Sequence, residues 1–143
     1  MKIMTCFVDS SAWVALVDST NPKHAAAKAY FENLLDNNAK IITNNTVLDE
    51  AVMELSSSIN KKTAQKFMQI IDESIITIHL RMDWISRRVR KQVLNQFLKS
   101  ESTDLELRHF YILETLRRKN ADIIFTFDQR LKETGFPLMP QES

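Results

Sequence analysis

The sequence predicts an α/β fold with a parallel sheet covered by helices. Short apolar runs rich in β-formers alternate with stretches of helical periodicity, and parallel neighbours need a crossover long enough to hold a helix. Acidic residues recur where those runs end, at the carboxyl edge on which open parallel sheets bind ligands. A length of 143 residues lies in the usual size range of one domain, about 100 to 150 residues, so residues 1–143 are read as a single domain without a linker.

The run Ile3 to Val8 reads as a buried strand, and Asp9-Ser10-Ser11 then supplies residues that favour a helix N-cap. Residues 12–17 read as helix, 18–22 as a turn, and His24, Ala27, Phe31, Leu34 and Leu35 recur at helical spacing in a second helix. Ile41 to Thr43 reads as a second strand. Asn44-Asn45-Thr46 can cap the helix whose apolar face is Val47, Leu48, Ala51, Val52 and Leu55, with Glu50 in its opening turns. A polar break at 56–60 precedes a helix over 62–71. Ile75 to Ile78 is assigned to a third strand, although a run this short has the same pattern as a buried helical segment. Asp83 is expected to cap an amphipathic helix in which Ile85, Val89, Val93 and Phe97 fall four apart. After a polar loop, Asp104 opens a helix from Leu105 to Lys119. The apolar run 123–127 is the clearest strand, followed directly by Asp128; Asp122, on its other side, caps or solvates the strand's start. A short helix, Gly135 and an edge strand around Leu138 end the chain.

Composition removes several functions. The chain is 44% hydrophobic and 26% charged, an ordinary globular balance far from that of disordered segments. A net charge of +1 gives no global attraction to nucleic acid, so any such contact must come from local clusters of Lys and Arg. Only one glycine is present, whereas phosphate-cradling loops need several at fixed spacing, so no nucleotide cofactor of those types is expected. The single cysteine, Cys6, cannot form an internal disulfide and reads as a buried thiol; Cys-pair zinc sites are excluded, and His24, His79 and His109 are too far apart for a helical HxxxH pair. No window approaches about 18 apolar residues, so no membrane span is expected and a cytoplasmic location is the default.

Carboxylate is what remains abundant. A given acid is by default a solvated charge or a cap, but Asp9 and Asp128 follow strands, and Glu50 and Asp104 sit early in helices opening at the same edge. Carboxylates gathered within a few Å repel one another unless a cation is bound, and oxygen-only ligation points to Mg²⁺ or Mn²⁺.

The motifs then carry a resemblance. Phe7-Val8-Asp9-Ser10-Ser11-Ala12-Trp13-Val14-Ala15-Leu16-Val17-Asp18 resembles the opening motif of PIN-domain proteins. His24-Ala25-Ala26-Ala27, Thr46-Val47-Leu48-Asp49-Glu50, Ser102-Thr103-Asp104, Phe125-Thr126-Phe127-Asp128-Gln129-Arg130-Leu131 and Gly135-Phe136-Pro137-Leu138 resemble its later motifs in order. The stretch from Glu54 to Leu98 matches none. The resemblance implies a three-layer sandwich with a central parallel sheet of four to five strands. It also implies an Mg²⁺- or Mn²⁺-dependent ribonuclease of the VapC-like toxin branch, with Asp9, Glu50, Asp104 and Asp128 as catalytic metal ligands. Asp9 and Asp104 are assigned as main ligands, Asp128 as a further one, and Glu50 as a ligand or orienter of water; Asp49 and Asp122 are the rival acids.

Ser10, Thr103 and Thr126 stand beside the acids as residues able to hold carboxylates or water, with capping as their alternative. Arg108 and Arg130 are candidate substrate contacts, each equally able to hold an acid in a salt bridge. Basic clusters at 87–91 and 117–119 can track an RNA backbone or form solvated faces. Trp13, Trp84 and Phe31 read as core or dimer surface, and His109 as structural. The resemblance further implies an RNA substrate, a homodimer and a protein antitoxin. The alternatives are a non-toxin PIN nuclease of RNA maturation and a catalytically silent binding module.

Overall fold

The computed structural model describes residues 3–141. Its strands are β1 (Thr5–Val8), β2 (Lys40–Asn44), β3 (Arg81–Asp83), β4 (Ile123–Phe125) and β5 (Leu138–Met139), and its helices α1 (Ser10–Val17), α2 (His24–Asp36), α3 (Asn45–Ser58), α4 (Lys61–Thr77), α5 (Arg87–Lys99) and α6 (Leu107–Arg118). The five strands form one sheet in the order β3-β2-β1-β4-β5, and every pairing is parallel.

A parallel sheet with crossovers on both sides must be apolar on both faces, and the strand residues divide accordingly. Cys6, Val8, Ile41, Ile123 and Phe125 join one core with residues of α1, α2, α3 and α4; Phe7, Ile42 and Ile124 join the other with Ile112 and Leu116 of α6. The central strand β1 is buried from Cys6 to Val8. Burial pushes the Cys6 thiol up to about 12, which leaves it an inert core group. Trp13 is buried against Phe31 and Phe67, whereas Trp84 is 70% exposed. No helix among the described residues is long and apolar enough to cross a membrane.

Three expectations are corrected. The run Ile75 to Ile78 is not a strand: α4 continues to Thr77, leaving Ile75 and Ile76 on the surface while Ile71 is buried. The helix closes with Ile78 and Leu80 both donating to the Ser74 carbonyl around His79 at φ 54°, and the third strand lies in the more polar Arg81–Asp83 instead. Asp83 caps no helix; it is the buried end of β3, and Ser86 accepts from the Val89 amide at 3.2 Å to cap α5. Asp104 does not open α6, whose first residue is Leu107.

Gly135 closes the 3-10 turn Gln129–Thr134 at φ 84°, in open space. That conformation is one a Cβ disfavours whatever room surrounds it.

Candidate active site

Asp9 leaves β1 at its carboxyl end and precedes α1, because α1 starts only where the paired strand stops. Its amide still donates to the Phe125 carbonyl at 3.0 Å, which registers it against β4. The side chain is fully buried, and a buried carboxylate needs dedicated donors. Thr126 supplies the shortest, its hydroxyl donating to Asp9 Oδ2 at 2.7 Å. Ser11 and Ser10 donate at 3.4 Å each. Ser11 also ties the neighbouring turn together, accepting from the Phe127 amide at 2.9 Å and sharing a 3.1 Å hydrogen bond with Thr126. Thr126 in turn accepts from the Asp128 amide at 3.0 Å. The β1 and β4 ends are thus one hydrogen-bonded unit with Asp9 at its centre.

Three of the four expected acids meet here, and Arg108 stands among them. Its Nε donates to Glu50 Oε2 at 2.6 Å, one terminal nitrogen to Asp128 Oδ2 at 2.8 Å, and the other to Asp9 Oδ1 at 2.8 Å. The second terminal nitrogen also donates to Ser10 Oγ at 3.1 Å. Burial disfavours the charged guanidinium, but Asp9, Glu50 and Asp128 outweigh it and raise its pKa. The Glu50 carboxyl shifts less favourably: burial raises its pKa, and Arg108 only partly offsets this. Repulsion from the neighbouring Asp9 adds to the rise. Glu50 Oε1 is buried without a hydrogen-bond partner among the described residues.

Asp128 is held from two sides. Burial raises its pKa, but His109 and Arg130 overcome this and bring it down to about 2. Arg130, nearly half exposed, donates through Nε to Asp128 Oδ1 at 3.1 Å and reaches Glu106 at 2.5 Å. His109 is fully buried. The Glu106 amide donates to its Nδ1 at 2.8 Å, so Nδ1 carries a lone pair and the ring proton sits on Nε2. Nε2 is 2.8 Å from Asp128 Oδ2, to which it donates. It is also 2.9 Å from a terminal nitrogen of Arg108, where donor faces donor. Histidine reasoning from sequence missed this role, because Glu106 and His109 have capping-box spacing without the usual Glu or Gln at the second place. Ser11 was missed as well, although its place beside Ser10 was the available signal.

Asp104 and Thr103 do not join the cluster. Both are exposed on the loop before α6 and make no hydrogen bond or ion pair among the described residues. The physical reason is the cap: Glu106 and His109 start the helix two residues beyond the expected place and turn Arg108 and His109, rather than Asp104, toward the strand ends. Ser10 and Thr126 do lie against the acids, and Arg108 and Arg130 both take the salt-bridge alternative. Asp122 accepts from the Thr5 amide at 2.8 Å, tying the start of β4 to β1, away from the cluster. The basic residues Arg87, Arg88, Arg90 and Lys91 are exposed on α5.

A divalent ion was the expectation for this place. Among the described residues, no group of three or more Asp, Glu, His or Cys side chains is arranged to close on one. The donor chemistry nevertheless fits: one carboxylate oxygen each from the β1 end, α3 and the β4 end surrounds the Arg108 guanidinium, and the second oxygen of Glu50 is buried and unsatisfied. Beside them, Ser10, Ser11, Glu50, Lys23 and Phe127 line a cavity of about 320 Å³.

A family model for the PIN domain matches residues 6–137. Among solved structures, VapC20 of Mycobacterium tuberculosis, described as a sarcin–ricin loop cleaving toxin, is similar with a TM-score of 0.78 and 20% identity. The similarity covers 92% of this chain and 95% of that one. At that identity the likeness is one of fold. No curated protein sequence matches the chain.

Proposed function

This chain belongs to the PIN domain family, and we propose that it is a divalent-metal-dependent endoribonuclease, the toxin of a toxin–antitoxin pair, formed by a single domain. The observation that carries the reading is the convergence of Asp9, Glu50 and Asp128 from three elements on one point at the sheet's carboxyl edge. Three acids are not gathered for stability, since they repel and each loses hydration. The similarity to a sarcin–ricin loop cleaving toxin supports the choice of RNA; a toxin role would bring an antitoxin partner, and the homodimer is proposed from the family resemblance alone.

Asp9, Glu50 and Asp128 would hold Mg²⁺ or Mn²⁺, which when bound lowers the pKa of a water and neutralises charge growing on the phosphate. The chain's own groups position and screen. Thr126, Ser11 and Ser10 fix the Asp9 carboxylate in one orientation, and His109 fixes Asp128 through its Nε2 proton. Glu50 is the least constrained of the three, with one oxygen free to accept a proton or a water's hydrogen. Arg130 is the exposed cation nearest the acids and the better placed of the two arginines to meet a phosphate. Asp104 stays outside this set.

The test is purified full-length protein with Mn²⁺ on total RNA, beside Asp9→Asn, with cleaved ends mapped. Cleavage by the wild type alone, and growth arrest on expression of the wild type alone, are the expected results. Equal behaviour of the two proteins on RNA overturns the nuclease reading; equal growth overturns the toxin reading. One observation favours a second reading, a silent binding module: the point the acids face already holds a cation, Arg108.

A further inference from the structure

We infer that Arg108 is a built-in competitor for the divalent cation, so that an ion can take Asp9, Glu50 and Asp128 only by displacing the guanidinium from all three. The inference rests on the metal-dependent reading above, but concerns a residue that the reading does not use.

Four observations carry it. The three nitrogens of Arg108 each contact a different carboxylate, at 2.6, 2.8 and 2.8 Å, so the guanidinium fills the space between those oxygens, and they can draw in on one ion only once it has left. A planar fork can satisfy one carboxylate bidentately; here it is spread over three, and Glu50 Oε1 is left buried without a partner. Negative charge is in excess in these contacts: Arg108 serves all three carboxylates, and of the three Arg130 reaches Asp128 alone, from the solvent side. A doubly charged ion compensates that excess better than the singly charged side chain does. Finally, the Arg108 nitrogen nearest His109 meets its Nε2 proton donor to donor at 2.9 Å, a contact that release of Arg108 would relieve.

Arg108 also has a way out. It lies in the first turn of α6, and its side chain is 19% exposed while Asp9 beneath it is fully buried. Withdrawal toward solvent needs a rotamer change of one long side chain and no movement of the sheet. At low ion concentration the acids are held together by Arg108, and the protein folds without metal; at higher concentration the ion replaces it.

The test is direct binding of Mn²⁺, followed by electron paramagnetic resonance of the free ion, to full-length wild type, Arg108→Gln and Arg108→Lys. Far-UV circular dichroism confirms the fold of each. Competition predicts that Arg108→Gln binds Mn²⁺ at least tenfold more tightly than wild type, with Arg108→Lys between them. Equal or weaker binding by a folded Arg108→Gln overturns competition while leaving the metal-dependent reading intact. Absence of Mn²⁺ binding in all three proteins overturns the two together. Should Arg108→Gln fail to fold without metal, the wild type decides the matter by NMR. Titration with Mg²⁺ is expected to release the Arg108 Nε–H from Glu50 and bring it into fast exchange with water. A protected Nε–H in protein whose Asp9 and Asp128 amides have already shifted with Mg²⁺ overturns the proposal.

Discussion

Helix α6 holds two arginine clusters ten residues apart, and they are built on opposite principles. At its end, Arg118 donates to Asp83 Oδ2 at 2.6 Å, Thr115 donates to the same oxygen at 2.7 Å, and Glu114 lies 3.6 Å from the arginine. The network continues inward: Asn44 donates to Thr115 Oγ1 at 2.9 Å and accepts from the Val47 amide at 3.0 Å. The ends of β2 and β3 are thereby pinned to α6. At the helix start, Arg108 faces three carboxylates from three elements, with one oxygen unsatisfied and one donor set against another. A buried charge cluster whose polar atoms find partners serves the fold, because desolvation is offset within the cluster. One that leaves a buried carboxylate oxygen unmet is unfinished as structure, and is where a ligand is expected.

That contrast can be broken by five measurements, the largest effect first. Asp9→Asn is expected to lower RNA cleavage by at least about 100-fold, since removing even an outer partner of a metal site costs about 10- to 100-fold. Its thermal stability, read by calorimetry, should change far less. Arg118→Ala is the mirror image: cleavage should persist while denaturant unfolding shows a loss of about 2 to 4 kcal/mol. That is somewhat below the usual cost of breaking a buried pair, because the side chain is 32% exposed and Thr115 still serves Asp83. A large loss of activity with little loss of stability would merge the two clusters into one class.

His109→Gln should lower kcat by about tenfold, at the lower end for an outer partner, because Asp128 loses its fixed donor. Arg118→Gln is expected to leave kcat unchanged. A fall in stability with kcat unchanged would return His109 to a purely structural place.

The pH dependence of stability separates the acids within the site. The Glu50 carboxyl is raised by burial, so its charge opposes folding above its unfolded pKa, and stability should rise as pH falls from neutral through its folded pKa. The Asp128 carboxyl is depressed to about 2, so its contribution is present above the unfolded Asp value and is lost only as pH falls toward 2. Glu50→Gln should therefore flatten the unfolding free energy between neutral pH and the carboxylate range, without touching the loss at lower pH. An unchanged slope would mean that Arg108 fully compensates Glu50. Smallest of all, Asp104→Asn should leave cleavage within about twofold and stability within about 0.5 kcal/mol, the range of surface substitutions. A loss comparable to that of Asp9→Asn would bring the loop into the site.

The alternating apolar runs and helical stretches were enough to read the parallel sheet, because the burial of its inner strands on both faces is written in consecutive apolar residues such as Cys6-Phe7-Val8 and Ile123-Ile124-Phe125. Asp9 and Asp128 were legible for the same reason: a strand's carboxyl end is visible where the apolar run stops. Glu50 followed from helix periodicity. What pattern alone could not resolve was local competition. Ile75 to Ile78 satisfies strand and helix equally, and only the packing of Ile71 with Ile78 partly buried decided for helix. Asp104 lost its expected place because Glu106 and His109 cap α6 later in the chain. The sequence by itself determined the fold class and three of the acids, since both depend on period and on strand ends. Only the tertiary structure decided that Arg108 stands among them and that His109 holds Asp128. Long side chains find their partners through space, across 58 and 99 residues of chain for Glu50 and Asp9, and no spacing rule along the sequence records that.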